Sequence, residues 1–151
     1  SKSERDNHGR CERHFPLTPP DGVGYPTSTE DVAKIVTLCS AHNVPLVPWG
    51  AGTSLEGHAL ALNGGICRDM SKMSKVLEIN TEDMDVVVHP GTQREALNEE
   101  LRATGLFFPV DPGANGSIGA MAAHGDALDV MGTIKDALDP RGLVNRGEMV
   151  S

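Results

Sequence analysis

The chain has 151 residues, room for one hydrophobic core of ordinary size and no length that forces two. Thirteen basic against 21 acidic side chains leave a net charge of −8, the wrong sign for a protein that reads a nucleic-acid backbone, so no nucleic-acid partner is expected. Apolar residues make up 38% with no run long enough to span a bilayer, and three cysteines without CxxC spacing suit free thiols better than a disulfide framework.

In chain order, residues 1–24 are dense in charge and carry Pro16, Pro19 and Pro20, which reads as an irregular arm. Ser28-Thr29-Glu30-Asp31 has capping-box spacing with Asp31 standing in for glutamate, and Val32, Ile35, Val36 and Cys39 recur at helical intervals. A helix over 29–42 follows. Strands are expected over 44–48, 65–70, 76–80 and 85–89. Thr92-Gln93-Arg94-Glu95 is a second capping box, after which Ala96, Leu97 and Leu101 form an apolar stripe on a helix that Gly105 stops. Phe107-Phe108-Pro109-Val110 reads as a short apolar strand. From Asp126, the residues Ala127, Val130, Met131, Ile134, Ala137 and Leu138 mark an amphipathic helix that Asp139-Pro140 ends. Strands and helices mix as in an α+β domain.

The chemistry concentrates in two loops rich in small residues. Val44 to Gly57 (VPLVPWGAGTSLEG) runs a buried strand into a turn where Gly50 and Gly52 can take positive φ and point successive amides at one anion. Ala51 lies between them, and Thr53 and Ser54 add hydroxyl donors. No lysine is present for a GxxxxGK[ST] motif, and Leu55 stands where a G-x-G-x-x-G fingerprint needs its third glycine. What remains is a pyrophosphate held by neutral donors, against the bland reading of an ordinary glycine turn. The second loop, Asp111-Pro112-Gly113-Ala114-Asn115-Gly116-Ser117-Ile118-Gly119, offers the Ser117 hydroxyl and amides of Gly113, Gly116 and Gly119. Thr92 is a further candidate hydroxyl.

Other reactive side chains carry less. Arg68, Arg94 and Arg102 are read as solvated charge, so no catalytic residue is assigned. His8, Cys11 and His14 have H-x-x-C-x-x-H spacing, but a tetrahedral zinc site wants a fourth ligand in an ordered frame, and no metal is assigned. His58 is read as a solvated loop residue, His89 as structural, and most methionines as core filler.

The stretches VPLVPWGAGTSLEGH and DVVVHPGTQREALNEELRATGLFFPVDPGANGSIGAMAA, with DNHGR near the start, resemble the flavin-binding half of FAD-linked oxidases related to vanillyl-alcohol oxidase. Within that superfamily they are most similar to cytochrome-type D-lactate dehydrogenases. The resemblance implies a partial FAD-binding domain of vanillyl-alcohol oxidase (PCMH) type over 25–123. It places an FAD pyrophosphate between Gly50, Ala51, Gly52, Thr53 and Ser54 on one side and Pro112, Gly113, Ser117 and Gly119 on the other. The segment HGDALDVMGTIKDALDPRGLVNRG resembles the extreme carboxyl-terminal helix and tail of those enzymes, as though 124–151 were joined to the flavin domain at Ala123 and His124. The implied activity is oxidation of a D-2-hydroxy acid with cytochrome c as acceptor, in mitochondria if the source is eukaryotic. A silent FAD-binding or structural remnant, or a relative acting on glycolate or D-2-hydroxyglutarate, are the alternatives.

Overall fold

A computed structural model describes residues 1–11, 15–55, 57–111 and 114–121. The helix expected from Asp126, the tail, the join at Ala123 and His124, and His14, Pro112 and Gly113 lie outside the described residues.

Two small sheets organise the chain. Strands β1 (Gly22–Gly24), β2 (Leu46–Trp49) and β3 (Ile66–Asp69) form a parallel sheet in the order β1-β3-β2, with Gly22 and Leu46 both in register with Ile66. Strands β4 (Val76–Asn80) and β5 (Asp85–Val88) form an antiparallel hairpin. Strands that run parallel in one sheet need a long connection between them. Between β1 and β2 it is helix α2 (Thr29–Ala41); between β2 and β3 it is residues 50–65, where the first glycine-rich loop lies. Pro48 is tolerated in β2 because β2 is an edge strand whose missing donor breaks no ladder.

Helix α2 starts as its sequence demands. The Ser28 hydroxyl accepts the Asp31 amide at 3.2 Å. The Asp31 carboxylate reaches back one residue further than a capping box requires, accepting the Thr27 amide at 3.1 Å and the Thr27 hydroxyl at 2.8 Å. Those Thr27 bonds hold the Asp31 carboxyl below the usual carboxylate range. Val32, Ile35, Val36 and Cys39 are half-buried to buried on one face, while Leu38 is exposed.

The amino-terminal arm is irregular only in part: residues 9–11 and 15–21 carry no helix or strand, but its two ends do. Helix α1 (Lys2–His8) is N-capped by the Ser1 hydroxyl, and β1 joins the sheet, its entry fixed by Asp21, whose carboxylate accepts the Gly65 amide at 2.7 Å. The stretch with Pro16, Pro19 and Pro20 stays without helix or strand, as its local signal says, while tertiary pairing draws Gly22–Gly24 into the sheet. The second correction concerns residues 107–110, which form no strand: Asn98 takes the place of a strand partner, its Oδ1 accepting the Phe108 amide at 2.7 Å, and Phe107 stays exposed. The third concerns helix α3 (Arg94–Leu101). Thr92 does not cap it; the residue is fully buried and its hydroxyl donates to the Lys75 carbonyl at 3.2 Å. Leu97 and Leu101 face the core as expected, but Ala96 is exposed. A short turn of 3-10 helix, Arg102–Thr104, then ends at Gly105 in the left-handed conformation, φ 78°.

The core gathers Leu46, Leu60, Cys67, Met73, Leu97, Leu101 and Met121. No helix among the described residues is long and apolar enough to cross a membrane. Cys11, Cys39 and Cys67 are free thiols, with Cys39 and Cys67 buried. Burial, then the neighbouring Asp69 carboxylate, pushes the Cys67 thiol up to about 12, and burial raises Cys39 as well. Both therefore stay protonated at neutral pH, and the thiolate is the reactive form. In the native chain a thiol-specific chromogenic reagent should titrate Cys11 ahead of the other two, with Cys39 and Cys67 appearing only on addition of denaturant. Rapid reaction of all three without denaturant would contradict this packing.

Candidate functional site

The two glycine-rich loops lie against each other. A methyl group built on the Gly50 backbone would overlap the Ser117 hydroxyl oxygen and stand 3.2 Å from Ser117 Cβ and 4.0 Å from Ala120 Cβ. Gly50 is glycine because of this approach, and its φ is not in the left-handed region. Gly52 does sit there, at φ 70°, and the Trp49 ring fills the space where its side chain would go, Cε2 standing 3.0 Å from that position. A side chain at Gly52 is doubly excluded, by backbone strain and by the indole.

This turn leaves donors unspent. Among the described residues, no acceptor takes the backbone amides of Gly50, Ala51, Gly52 or Thr53, all half-buried. Amides without a protein acceptor in a partly exposed turn are available to water or to an anion. Ser54 is differently employed. Its hydroxyl meets His58 Nδ1 at 3.1 Å, and its carbonyl accepts the Cys11 thiol at 3.2 Å. His58 is therefore half-buried and tied to the loop rather than freely solvated.

The second loop is held by a strap of backbone bonds to residues 90–95. Gln93 and Ser117 form an antiparallel bridge, Ile118 N donates to the Thr92 carbonyl at 2.8 Å, and Gly119 N donates to the Pro90 carbonyl at 2.9 Å. The loop also caps α3: the Gly116 carbonyl accepts the Arg94 amide at 3.1 Å, and Asn115 Oδ1 accepts the Glu95 amide at 3.2 Å. This is the cap that local sequence assigned to Thr92. It comes from some twenty residues away, so no local pattern could reveal it.

These bonds change the donor set. The Gly119 amide is spent on Pro90 and the Gly116 amide on the Ala114 carbonyl at 2.8 Å, so neither is offered outward as expected. The Thr92 hydroxyl is spent on Lys75. Ser117, 2% exposed, is the second loop's described contribution beside Gly50, while Pro112 and Gly113 lie outside the described residues.

Two cations differ from the solvated reading. Arg68 is half-buried with its Nε lacking a partner, and burial holds its guanidinium below the usual value. Arg94 is also half-buried, its Nη1 3.4 Å from Asp111 and its Nε unpartnered. Arg102 is exposed and pairs with Glu99 at 2.9 Å. His8, taken above as part of a metal-like spacing, directs Nε2 to Asp69 at 2.8 Å and Nδ1 to the Glu4 carbonyl at 2.9 Å.

A turn with four unspent amides at the carboxyl end of a parallel strand, closed by a serine from a second small-residue loop, suits a diphosphate. The family model described as FAD binding domain matches residues 20–144. The chain belongs to this family. Its fold is the α+β FAD-binding domain of vanillyl-alcohol oxidase (PCMH) type, and FAD is the cofactor. The match extends past Ala123 and His124, where the join with a carboxyl-terminal segment is expected. The chain is 47% identical over 119 residues to "Probable D-lactate dehydrogenase, mitochondrial" of Danio rerio, covering 79% of this chain and 24% of that protein. It is 46% identical over 138 residues to "D-lactate dehydrogenase [cytochrome], mitochondrial" of Arabidopsis thaliana, covering 88% of this chain and 24% of that one. More distant relatives are named for glycolate and for D-2-hydroxyglutarate. Among solved structures, alkyldihydroxyacetonephosphate synthase superposes with a TM-score of 0.62 and 26% identity over 67% of this chain and 21% of that one. The chain thus spans about a quarter of the length of the curated relatives it matches.

The Gly50 approach gives a direct test. Gly50→Ala should weaken FAD uptake by about tenfold or more, since each 1.4 kcal/mol of lost interaction is a factor of ten, with the far-ultraviolet circular dichroism unchanged. Gly52→Ala should lower the melting temperature by several degrees, on the order of 1 to 2 kcal/mol of left-handed strain before any clash with Trp49. Unchanged FAD affinity in the first variant would argue against a cradle at Gly50 and Ser117.

Proposed function

We propose that this chain is the FAD-holding portion of a D-2-hydroxy acid dehydrogenase of the D-lactate type. The observation that carries the proposal is the set of amides at Gly50, Ala51, Gly52 and Thr53 without an acceptor among the described residues, in a turn whose Gly50 lies against Ser117. In this reading those amides, with the hydroxyls of Thr53 and Ser117, bind the diphosphate. Ser54 acts through His58, and Gly119 keeps the second loop close to Pro90. Neutral donors suffice because hydrogen bonds from amides to an anion are charge-assisted. Bound FAD supplies the acceptor for hydride from a 2-hydroxy acid carbon; the protein's part is to hold and orient it.

D-lactate is the substrate favoured by the two relatives nearly half identical to the chain, one of which is named for cytochrome and both for mitochondria. Cytochrome c as electron acceptor and a mitochondrial address belong to the same proposal, and glycolate and D-2-hydroxyglutarate are the competing substrates. A second reading follows from an independent observation: the chain spans about a quarter of its relatives' length. On that reading the chain binds FAD without turning over.

A titration of the purified chain with FAD, followed by flavin fluorescence, should saturate at one FAD per chain. Assays with D-lactate, glycolate or D-2-hydroxyglutarate and an artificial acceptor then separate the readings. Absence of FAD uptake by folded chain would refute both. Uptake without turnover is the expected result for this chain alone, and turnover with one acid would establish the enzyme and its substrate.

A further inference from the structure

Helix α3 grips the second loop through its first turn and a half. Asn98 holds the approach to the loop, its Oδ1 accepting the Phe108 amide at 2.7 Å and its Nδ2 donating to the Phe108 carbonyl at 3.4 Å. Asn115 holds the far side, its Oδ1 accepting the Glu95 amide and its Nδ2 donating to Gln93 Oε1, both at 3.2 Å. Arg94 touches the loop at two points. Its Nη1 stands 3.4 Å from Asp111 Oδ2, and its backbone amide donates to the Gly116 carbonyl at 3.1 Å. The residue after Gly116 is Ser117, whose hydroxyl lies against Gly50. One residue therefore ties the charged entry of the loop to the point where the loop meets the cofactor turn.

Stability of the fold does not explain this ion pair. The Arg94 side chain is only 20% exposed, its Nε has no partner among the described residues, and its other carboxylate neighbour, Glu95, stands 3.9 Å from Nη2. Withdrawing a guanidinium from water with a bond left unmade costs free energy. Asp111, 57% exposed, returns little of it, as pairs that reach solvent do. The two Asn98 bonds and the backbone bonds of residues 116–119 to Arg94, Thr92 and Pro90 hold the segment to the helix without the pair. What Arg94 adds is direction, a planar cation held at one carboxylate where the chain enters the loop.

We propose that Arg94 is a positioning residue for the cofactor site: through its ion pair with Asp111 it sets the second loop so that Ser117 closes on the turn at Gly50. The inference rests on the reading that residues 50–54 hold FAD. Affinity and stability should then separate, with FAD binding weakened and the fold kept.

The experiment measures FAD affinity by flavin fluorescence, and melting temperature without FAD, in the full chain. It compares wild type with Arg94→Met, Asp111→Asn, the double variant and Arg94→Lys. Methionine keeps an unbranched stem and a good helix former in place of the cation. Arg94→Met and Asp111→Asn should each bind FAD about fivefold more weakly, the upper end of what a partly exposed ion pair supplies. The double variant should bind no more weakly than either single one, because both remove the same interaction. Arg94→Lys keeps the charge and should stay within about twofold of wild type. The melting temperature of Arg94→Met should equal or exceed that of wild type, since apolar side chains replace desolvated ion pairs without loss.

Asp111→Asn also separates positioning from plain charge. Were Arg94 only a positive charge attracting the diphosphate, removing the competing carboxylate would tighten FAD binding. Tighter binding there, wild-type affinity in both single variants, losses that multiply in the double variant, or a matching fall in melting temperature overturns the positioning role and leaves the cofactor reading intact. No FAD uptake by the wild type overturns the cofactor reading, and the positioning role with it. Should Arg94→Met fail to fold, Asp111→Asn decides: a fivefold loss at unchanged melting temperature upholds the proposal, and wild-type affinity contradicts it.

Discussion

The approach of the Gly50 backbone to Ser117 is the contact on which the rest of the site depends, because it sets the spacing between two loops that the chain separates by more than sixty residues. A single methyl group there would displace the Ser117 hydroxyl. With the gap closed, four amides of the first turn lack an acceptor among the described residues and Gly50 lies beside the Ser117 hydroxyl, an arrangement that suits a protein that takes an anion. The acidic balance of the chain makes the same point from another direction. A protein of net charge −8 attracts no anion at long range, so selectivity must come from short, directed bonds.

Each loop is held by a different device. The first is the crossover between neighbouring parallel strands, anchored at Trp49 on one side and by the His58 contact to Ser54 on the other. The second is strapped to residues 90–95 and serves as the N-cap of α3, so the helix cannot form fully unless the loop is in place. A side-chain cap of this kind is worth about 1 kcal/mol. Burial of Leu97 and Leu101 anchors the same helix to the core at about 2 kcal/mol each. Folding of the core and placement of Ser117 are thereby coupled.

Much of this was legible in the sequence, for identifiable reasons. Helix α2 is specified within itself by Ser28, Asp31 and the Val32, Ile35, Val36, Cys39 stripe, and β4 and β5 by apolar residues with high strand preference. The illegible features all depend on partners distant in sequence. Asp21 meets Gly65, Asn115 meets Glu95, and His8 meets Asp69, so the ordered arm, the cap of α3 and the histidine clamp have no local signature. Residues 107–110 failed the other way: apolar residues promised a strand, but Asn98 takes their backbone bonds and leaves Phe107 outside. At the site, Gly50 and Gly52 were recognisable as glycines with a purpose. That Gly50 answers to Ser117 and Gly52 to Trp49 required the fold.

Amide hydrogen exchange with and without FAD tests the convergence of the two loops most directly, since it reads each backbone donor in the same sample. Addition of FAD should slow exchange at Gly50, Ala51, Gly52 and Thr53 and, over the same concentration range, at residues 114–119. Slowing at one loop alone, or at neither while FAD is demonstrably bound, would mean that the diphosphate lies elsewhere and that the meeting of Gly50 and Ser117 is packing without function.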